Sequence, residues 1–495
     1  MAIPKVCGIE TEYGIDPRGM GEKNPIAASS VLINAYVSQL QRKVGWDFED
    51  ESPGNDARGF SREGAAPPEV ETHLVNAVLT NGARYYVDHA HPEFSTPECL
   101  DALECVRYDK AGERILARSM AAAARSLPDG QHIVIYKNNS DRKGNSYGTH
   151  ENYLMDRQVP FARIVQHVIP YFVTRQIFTG AGKVGTEAAS TGGQRVDFQL
   201  TQRADFFEEE VGLETTLKRP IVNTRDEPHA DAQKYRRLHV IVGDANLSEV
   251  ATFLKVGVTS IVLCMIEDDW LKDPLTLAAP VQAIRRVSYD LELSQVLEMD
   301  DGRRMKAIDI QWEYLDLARK YAEDRGLEAV GAEVGADVLR RWEEVLTALE
   351  TDPMSLATKL DWVAKYRLLS GYRERHDLPW DHPRIAAMDL QYHDVRPDRS
   401  LYEKLGMERL LTEESVDEAT TEPPTETRAY FRGRCLQKWA SSIAAANWDS
   451  LVFDLGGDPL RRVPMMEPLR GTASMVDSLL DECSSPAELL ERLGS

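Results

Sequence analysis

The sequence predicts an α+β protein: a curved antiparallel sheet backed by helices, with a small C-terminal domain. Three observations lead there. Segments such as "GQHIVIYKN", "QRVDFQLTQRADF" and "RRLHVIVGDAN" alternate apolar and polar residues with the period of a half-buried strand. Long stretches of helical periodicity stand between them, including "GERILARSMAAAARSL", "LSEVATFLKVGVTSIVLCMI" and "RRMKAIDIQWEYLDLARKYAED". Polar alternation on strands joined by long connections suits an antiparallel sheet with one face on a core and the other at work. At 495 residues the chain can bury a large core.

Taken in order, "KVCGIETEYGI" reads as a strand ending in glycine, and "VLINAYVSQLQRKVG" as an amphipathic helix. Residues 46–71 are rich in Gly, Pro, Asp and Glu and read as a long mobile insertion. "NGARYYVDHAHPEFSTPE" then carries a strand with Arg84, Tyr86 and Asp88 on one face and Tyr85 and Val87 on the other. Residues 411–428, "LTEESVDEATTEPPTETR", read as an acidic linker or surface loop. The expected division is therefore a catalytic domain over 1–428 and a small C-terminal domain over 429–495.

Bulk charge narrows the partners. A formal net charge of −22 and a pI near 5.0 argue against nucleic acid or an anionic membrane as the main partner. An acidic partner held in a locally basic groove remains compatible. The six cysteines form no CxxC pair, which suits reduced thiols in the cytoplasm. No apolar run is expected to span a bilayer, and "MAIPKVCGIE" lacks a signal-peptide core.

Several segments concentrate chemistry. "GIETEYG" sets Glu10 and Glu12 on one strand face, either as an exposed edge or as a hard-metal site. Glu93 follows the Arg84–Tyr86–Asp88 strand, itself either a solvated edge or a working face; His89 reads as a turn residue. In "KNNSDRKGNSYGTHENYLM" Ser146, Gly148, His150 and Asn152 share a face, and small residues there let a ligand approach the backbone. "RRLHVIVGDAN" puts Arg237, His239, Ile241 and Gly243 on a working face and Leu238, Val240 and Val242 in the core. No Walker A loop, GxGxxG unit, HExxH or GxSxG elbow is present. A bound nucleotide would therefore lie on an open sheet with carboxylate-held metals.

Together, "GIETEYGI", "GARYYVDHAHPEFSTPE", "KNNSDRKGNSYGTHENYL", "RRLHVIVGDAN", "DLQYHDVRPD" and "PPTETRAYFRGR" resemble the family of Pup ligase and deamidase of Pup. That family is a branch of the glutamine synthetase-like carboxylate–amine ligases. The insertion at 46–71 and the wording "VDHAHPEFS" resemble the family's hydrolytic branch more than its ligase branch. The resemblance implies a glutamine synthetase-like catalytic domain and Mg2+ with ATP, or ADP plus phosphate, as an organising cofactor. It implies Pup and pupylated proteins as partners; of the oligomeric states, a monomer is favoured. The implied activity is deamidation of Pup's C-terminal glutamine and hydrolysis of the Pup–lysine isopeptide bond; ATP-consuming ligation of Pup is the alternative. By the same resemblance Glu10, Tyr86 and Glu93 look like magnesium ligands, with His150 and His239 as metal- or phosphate-binding histidines. Arg84, Thr96, Arg237 and Trp448 look like nucleotide contacts, and Asp88 like the catalytic aspartate. Arg225, Arg432 and Arg434 suit a phosphate or a substrate carboxylate.

Overall fold

A computed structural model describes every residue except 22, 41, 50, 63–73, 188–194, 458 and 495. Its centre is a ten-stranded sheet whose strands we number along the chain: β1 Cys7–Glu12, β2 Val44–Trp46, β3 Asn76–Val78, β4 Arg84–Asp88, β5 His91–Ser95, β6 Thr149–Asp156, β7 Tyr235–Val240, β8 Ile443–Ala446, β9 Ser450–Phe453 and β10 Arg461–Pro464. Their spatial order is β7-β6-β1-β5-β4-β3-β2-β8-β9-β10. The α+β class is borne out, but the sheet is mixed: β8 runs parallel to β2, and every other neighbouring pair is antiparallel.

Alternation explains which face is which. In β1 the buried residues are Cys7, Ile9 and Thr11, while Gly8, Glu10 and Glu12 stay partly open. Beneath β1, β6 and β7 lie two long helices, α3 Phe161–Thr179 and α4 Glu249–Glu267. Their Tyr171, Phe172, Leu254, Val258 and Ile261 form one core with Ile9, Tyr153, Leu238 and Val240 of the sheet. Beneath β4 and β5, α1 Pro25–Val37 and α2 Ala102–Ala124 pack against Tyr85, Val87 and Phe94. Each fully buried side chain of this size contributes roughly 1.5–3 kcal/mol. Helix starts follow the expected chemistry: Asn24, Asp101 and Ser248 each accept a hydrogen bond from a first-turn backbone N–H. These four helices pack under one face of β1 and β4–β7, and the opposite face of those strands is left to build a site.

Several expectations need correction. "QRVDFQLTQRADF" contains only the two-residue strand Phe198–Gln199 and a 3-10 turn over Ala204–Phe206. Its polar residues bind inward: Asp244 accepts from the Gln202 backbone N–H at 2.8 Å, and Asp205 accepts from Glu187 N at 2.9 Å. β7 stops at Val240, so Ile241 goes into the core, 0% exposed, instead of joining the working face. α4 is long and apolar enough to cross a membrane, with a window of mean hydropathy 1.8, but that window is entirely buried in the core.

The 411–428 stretch is a short helix, α7 Glu413–Glu418, capped by Thr412. It is pinned to α2 by Arg107, Arg114 and Arg118, which reach Glu418, Glu413 and Asp417. The described part of the 46–71 insertion also packs down: Thr224 donates to Asp56 at 2.6 Å, and Ser52 N donates to Glu227 at 2.5 Å. Residues 63–71 of that stretch lie outside the described residues.

Residues 429–495 contribute β8–β10 to the same sheet and dock through a buried charge cluster. Glu98, just after β5, receives Arg428 Nε at 2.6 Å and both terminal nitrogens of Arg432. Arg432 sits on α8 Ala429–Trp439 and also donates to the Gly82 and Trp448 carbonyls at 3.0 Å. Burial opposes the Glu98 charge, but the two guanidiniums outweigh it and hold the carboxyl at about 2. Removing Glu98 strands two buried cations, so Glu98→Ala is expected to cost about 3–5 kcal/mol in chemical denaturation, with Glu98→Gln in between. Because the folded pKa is depressed, this stabilisation is present above the ordinary value of 4.5 and lost as pH falls toward 2. A variant as stable as wild type at neutral pH would remove the latch.

Candidate functional site

Strand register assembles the site. β1 lies between β5 and β6, with Glu10 opposite His150 on one side and Ser95 on the other, and Glu12 opposite Glu93. β4 continues the rows, placing Tyr86 opposite Glu93 and Arg84 opposite Ser95. Because alternate residues share a face, one row runs Glu12–Glu93–Tyr86–Asn76 and the next runs His150–Glu10–Ser95–Arg84. These residues line a cleft of about 710 Å3 together with Asp88, Arg237, His239 and Trp448. Of the metal, nucleotide and catalytic residues that the resemblance implied, Thr96 alone lies outside it. Thr96 lines an adjoining slot of about 90 Å3 with Val6, Gly8, Pro97, Leu154 and Trp448, and its Oγ1 accepts from Ile9 N at 3.0 Å.

Hydrogen bonds fix the polar row. Asn152 donates to Glu10 at 2.8 Å and accepts from Arg237 at 2.9 Å, and its Oδ1 lies 3.0 Å from His239 Nδ1. Gly148 N donates to Glu12 at 2.9 Å. A Cβ on Gly148 would fall 2.3 Å from His150 Nε2 and 2.8 Å from Glu12 Oε1, so a larger residue there would displace both side chains. Arg84 donates to Asn76 at 3.0 Å, and its guanidinium is sandwiched between the Trp46 and Tyr86 rings, 3.9 Å from each centroid. Trp46 also meets Trp448 edge-on at 5.2 Å and donates to Glu51 at 2.6 Å. The start of the insertion is thus a wall of the site, which its loop-like composition concealed.

Four carboxylates converge here, and their environments differ. Burial opposes the Glu10 charge, but the His150 hydrogen bond and the Arg237 charge overcome it, and its pKa is well below the usual range. Glu12 likewise falls to about 2, with burial outweighed by His91, His150 and the Gly148 N–H. Glu93 moves the other way: burial, then Asp88, Glu12 and Glu10, push its carboxyl well above the ordinary value. Burial and Glu93 also raise the Tyr86 phenol, which is therefore neutral. Asp88 is the most open of the four, at 29% side-chain exposure against 13% for Glu12 and 18% for Glu10. Its Oδ2 lies 2.9 Å from His89 Nδ1, on a turn where His89 takes a φ of +50°.

Among the described residues two groups could hold a cation. One is Glu10, His150 and His239; the other is Glu12, Asp88 and Glu93, each with ligand atoms within 4.8 Å of one another. The expected ligands are therefore divided between two places, and Glu12, not among the ligands the resemblance implied, joins Glu93. An all-oxygen set suits Mg2+, whereas imidazole favours softer metals. Burial and carboxylate repulsion that raise the Glu93 pKa are the behaviour of a set short of positive charge, so the second group fits Mg2+. Burial and Arg237 hold His239 neutral.

The arginines separate. Arg225 and Arg237 line the cleft beside Glu227 and His229. Arg432 is the buried partner of Glu98, and Arg434, bonded to Gln437 at 2.9 Å, does not line the cleft. Neither is placed to bind an oxyanion there. Arg203 and Arg219 do line it, and no local pattern had marked them.

The family model described as Pup-ligase protein matches residues 5–452. The chain is 56% identical to a depupylase of Acidothermus cellulolyticus over 99% of both chains. It is 50% identical to a Pup deamidase/depupylase of Mycolicibacterium smegmatis over 99% of this chain and 100% of that one. In structure it is similar to the ligase PafA in complex with the Prokaryotic Ubiquitin-like Protein Pup, with a TM-score of 0.81, 32% identity, and 99% and 94% of the two chains covered. It is also similar to PafA in complex with ADP, with a TM-score of 0.75, 36% identity, and 82% and 89% covered.

The carboxylate cluster yields a stability test. Glu93 has a raised folded pKa, so its ionisation weakens the metal-free fold as pH rises above the ordinary 4.5. Glu93→Gln is expected to melt no lower than wild type in chelator at pH 8 and to lose the stabilisation that Mg2+ gives wild type. A large loss of stability in chelator, or an unchanged Mg2+ shift, would contradict the cluster's electrostatics.

Proposed function

This chain belongs to the Pup-ligase protein family, and we propose that within it the chain is a Pup deamidase and depupylase. It is a hydrolase of amide and isopeptide bonds. It converts Pup's C-terminal glutamine to glutamate and cleaves the bond joining that residue to a target lysine. The observation that carries this reading is the full-length likeness to two hydrolases of that name, with an intact Asp88 at the open rim of the carboxylate cluster. Six free buried cysteines support a reducing, cytoplasmic setting.

The slot and cleft suit a nucleotide with its phosphates toward arginines. An aromatic and aliphatic slot bounded by Trp448, Pro97 and Leu154 fits a base; Arg237 lines both slot and cleft, and Arg84 and Arg225 line the cleft. Glu12 and Glu93 would hold Mg2+, which when bound supplies positive charge to oxyanions in the cleft. The remaining chemistry belongs to the chain. Asp88 has one carboxylate oxygen engaged by His89 and, among the described residues, no hydrogen-bond partner on the other, which can act on the side-chain carbonyl as nucleophile or as base toward water. Hydrolysis needs no activated carboxylate, so the nucleotide organises the site and is not spent.

Asp88→Asn is expected to lower deamidation and depupylation by about 10²–10⁴-fold, the usual worth of a positioned acid–base group. Folding and nucleotide binding should persist, read as a nucleotide-induced stabilisation of about 2.7 kcal/mol at a hundredfold excess over Kd. Release of ammonia from glutamine-ended Pup by wild type, and its absence in the variant, tests the reading. Retention of more than a few per cent of the wild-type rate would exclude Asp88 from the chemistry.

A further inference from the structure

A tight turn beside the carboxylate cluster carries a costly conformation. β4 and β5 are joined by His89 and Ala90 alone, with Asp88 opposite His91 across the turn. His89 takes a φ of +50°, in the left-handed region where glycine or asparagine is the usual choice for such a hairpin. Ser29 Oγ of α1 donates to the Ala90 carbonyl at 2.9 Å and ties the turn down. Burial does not hold the imidazole in place, because the His89 side chain is 57% exposed. The ring reaches back to the preceding residue instead: Nδ1 lies 2.9 Å from Asp88 Oδ2, and among the described residues this is the one side-chain hydrogen bond that Asp88 makes. Backbone strain kept at such a place points to a role for the side chain it carries.

Glu12, Asp88 and Glu93 bring ligand oxygens within 4.8 Å of one another, yet the three are not engaged alike. Glu12 accepts from Gly148 N at 2.9 Å and faces His91 Nδ1 at 3.5 Å, and Glu93 is 3% exposed. Asp88 is the open one, at 29% side-chain exposure. A divalent cation held by Glu12 and Glu93 would attract the third carboxylate as well, since Mg2+ takes carboxylate oxygens. Resting on the hydrolase reading, that outcome defeats the chemistry. An oxygen bound to the ion shares its lone pair with the metal and is a weaker nucleophile and a weaker base. A donor that holds Asp88 off the ion keeps the electron pair for the carbonyl or for water. An Nδ1–H serves in the neutral ring as well as in the charged one, so the contact needs no protonation change.

We propose that His89 is a positioning residue that divides the three carboxylates, leaving Glu12 and Glu93 to the cation and holding Asp88 for the reaction. The left-handed turn is the means, because it returns the imidazole to the residue before it.

The test reads metal affinity and turnover separately. Mn2+, standing in for Mg2+, is titrated against the full chain by electron paramagnetic resonance without nucleotide or Pup, and the binding event followed is the one that Glu93→Gln removes. His89→Gly suits the left-handed backbone and deletes the donor; His89→Phe keeps a ring at the same position and deletes it too. Both should bind Mn2+ about tenfold more tightly than wild type, roughly the worth of one charge-assisted hydrogen bond, because Asp88 joins the ion. Both should release ammonia from glutamine-ended Pup with kcat lower by roughly tenfold to a hundredfold and KM little changed, as expected for a misplaced reacting group. Adding Asp88→Asn to His89→Gly should return Mn2+ affinity to the wild-type value, since the amide brings no charge to the ion. A turn that served only the fold would loosen the ion when altered, not tighten it. Mn2+ affinity at or below wild type in both His89 variants overturns the proposal. So does tighter binding that survives Asp88→Asn, and so does tighter binding with an unchanged kcat. Tighter binding that needs Asp88, in a protein whose wild type releases no ammonia, would keep the division of the carboxylates and sink the hydrolase reading.

Discussion

Repulsion among Glu10, Glu12, Asp88 and Glu93 is the constraint around which the molecule is organised. Unit charges 4 Å apart interact by about 4 kcal/mol at the effective dielectric of a protein surface region. Strand pairing nevertheless forces them together, because Glu12 faces Glu93 across β1 and β5 and Asp88 closes the adjacent hairpin. The protein answers in two ways. Near Glu10 it provides its own cations and donors, namely Arg237, Asn152 and the paired histidines. Near Glu93 it provides only the Tyr86 phenol, and burial with the neighbouring carboxylates pushes the carboxyl's pKa well up. That asymmetry distinguishes a self-contained polar network from a set that calls for an added cation.

Holding such a cluster in register requires a stiff support. α3 and α4 pack under the sheet in the main core, leaving the carboxylate face open. On the core side Glu151 of β6 is clamped by Arg175 through bonds of 2.6 and 2.9 Å. At the other flank Glu98 joins β5 to α8, so that the C-terminal segment brings Trp448 to the cleft and carries β8 against β2. Trp46, at the end of β2, then stacks on Arg84. The same sheet that positions the acids also brings the insertion's aromatic residue and the C-terminal tryptophan, 5.2 Å apart, to one side of the cleft.

What was legible in the sequence was local. Glu10 with Glu12, Arg84 with Tyr86 and Asp88, and Arg237 with His239 were assignable because period-two alternation needs only neighbouring residues. The grouping of Glu12 with Glu93 and Asp88 was not, since it depends on which strands pair and in what register. Arg432 looked like an anion ligand because only the fold shows Glu98 beside it. The acidic 411–428 stretch looked like a linker because its arginine partners on α2 lie some three hundred positions earlier. Arg203 was hidden because a segment that alternates like a strand folds as an irregular turn once Asp244 captures its backbone.

The central claim is that the oxygen set on β1 and β5 is completed by a bound divalent cation. Anomalous diffraction from crystals grown with Mn2+ and nucleotide locates that ion directly. The account requires a peak coordinated by Glu12 and Glu93, with the Asp88 carboxylate at its edge and open to the cleft. A fully loaded crystal with manganese elsewhere and none beside Glu12 and Glu93 would contradict it.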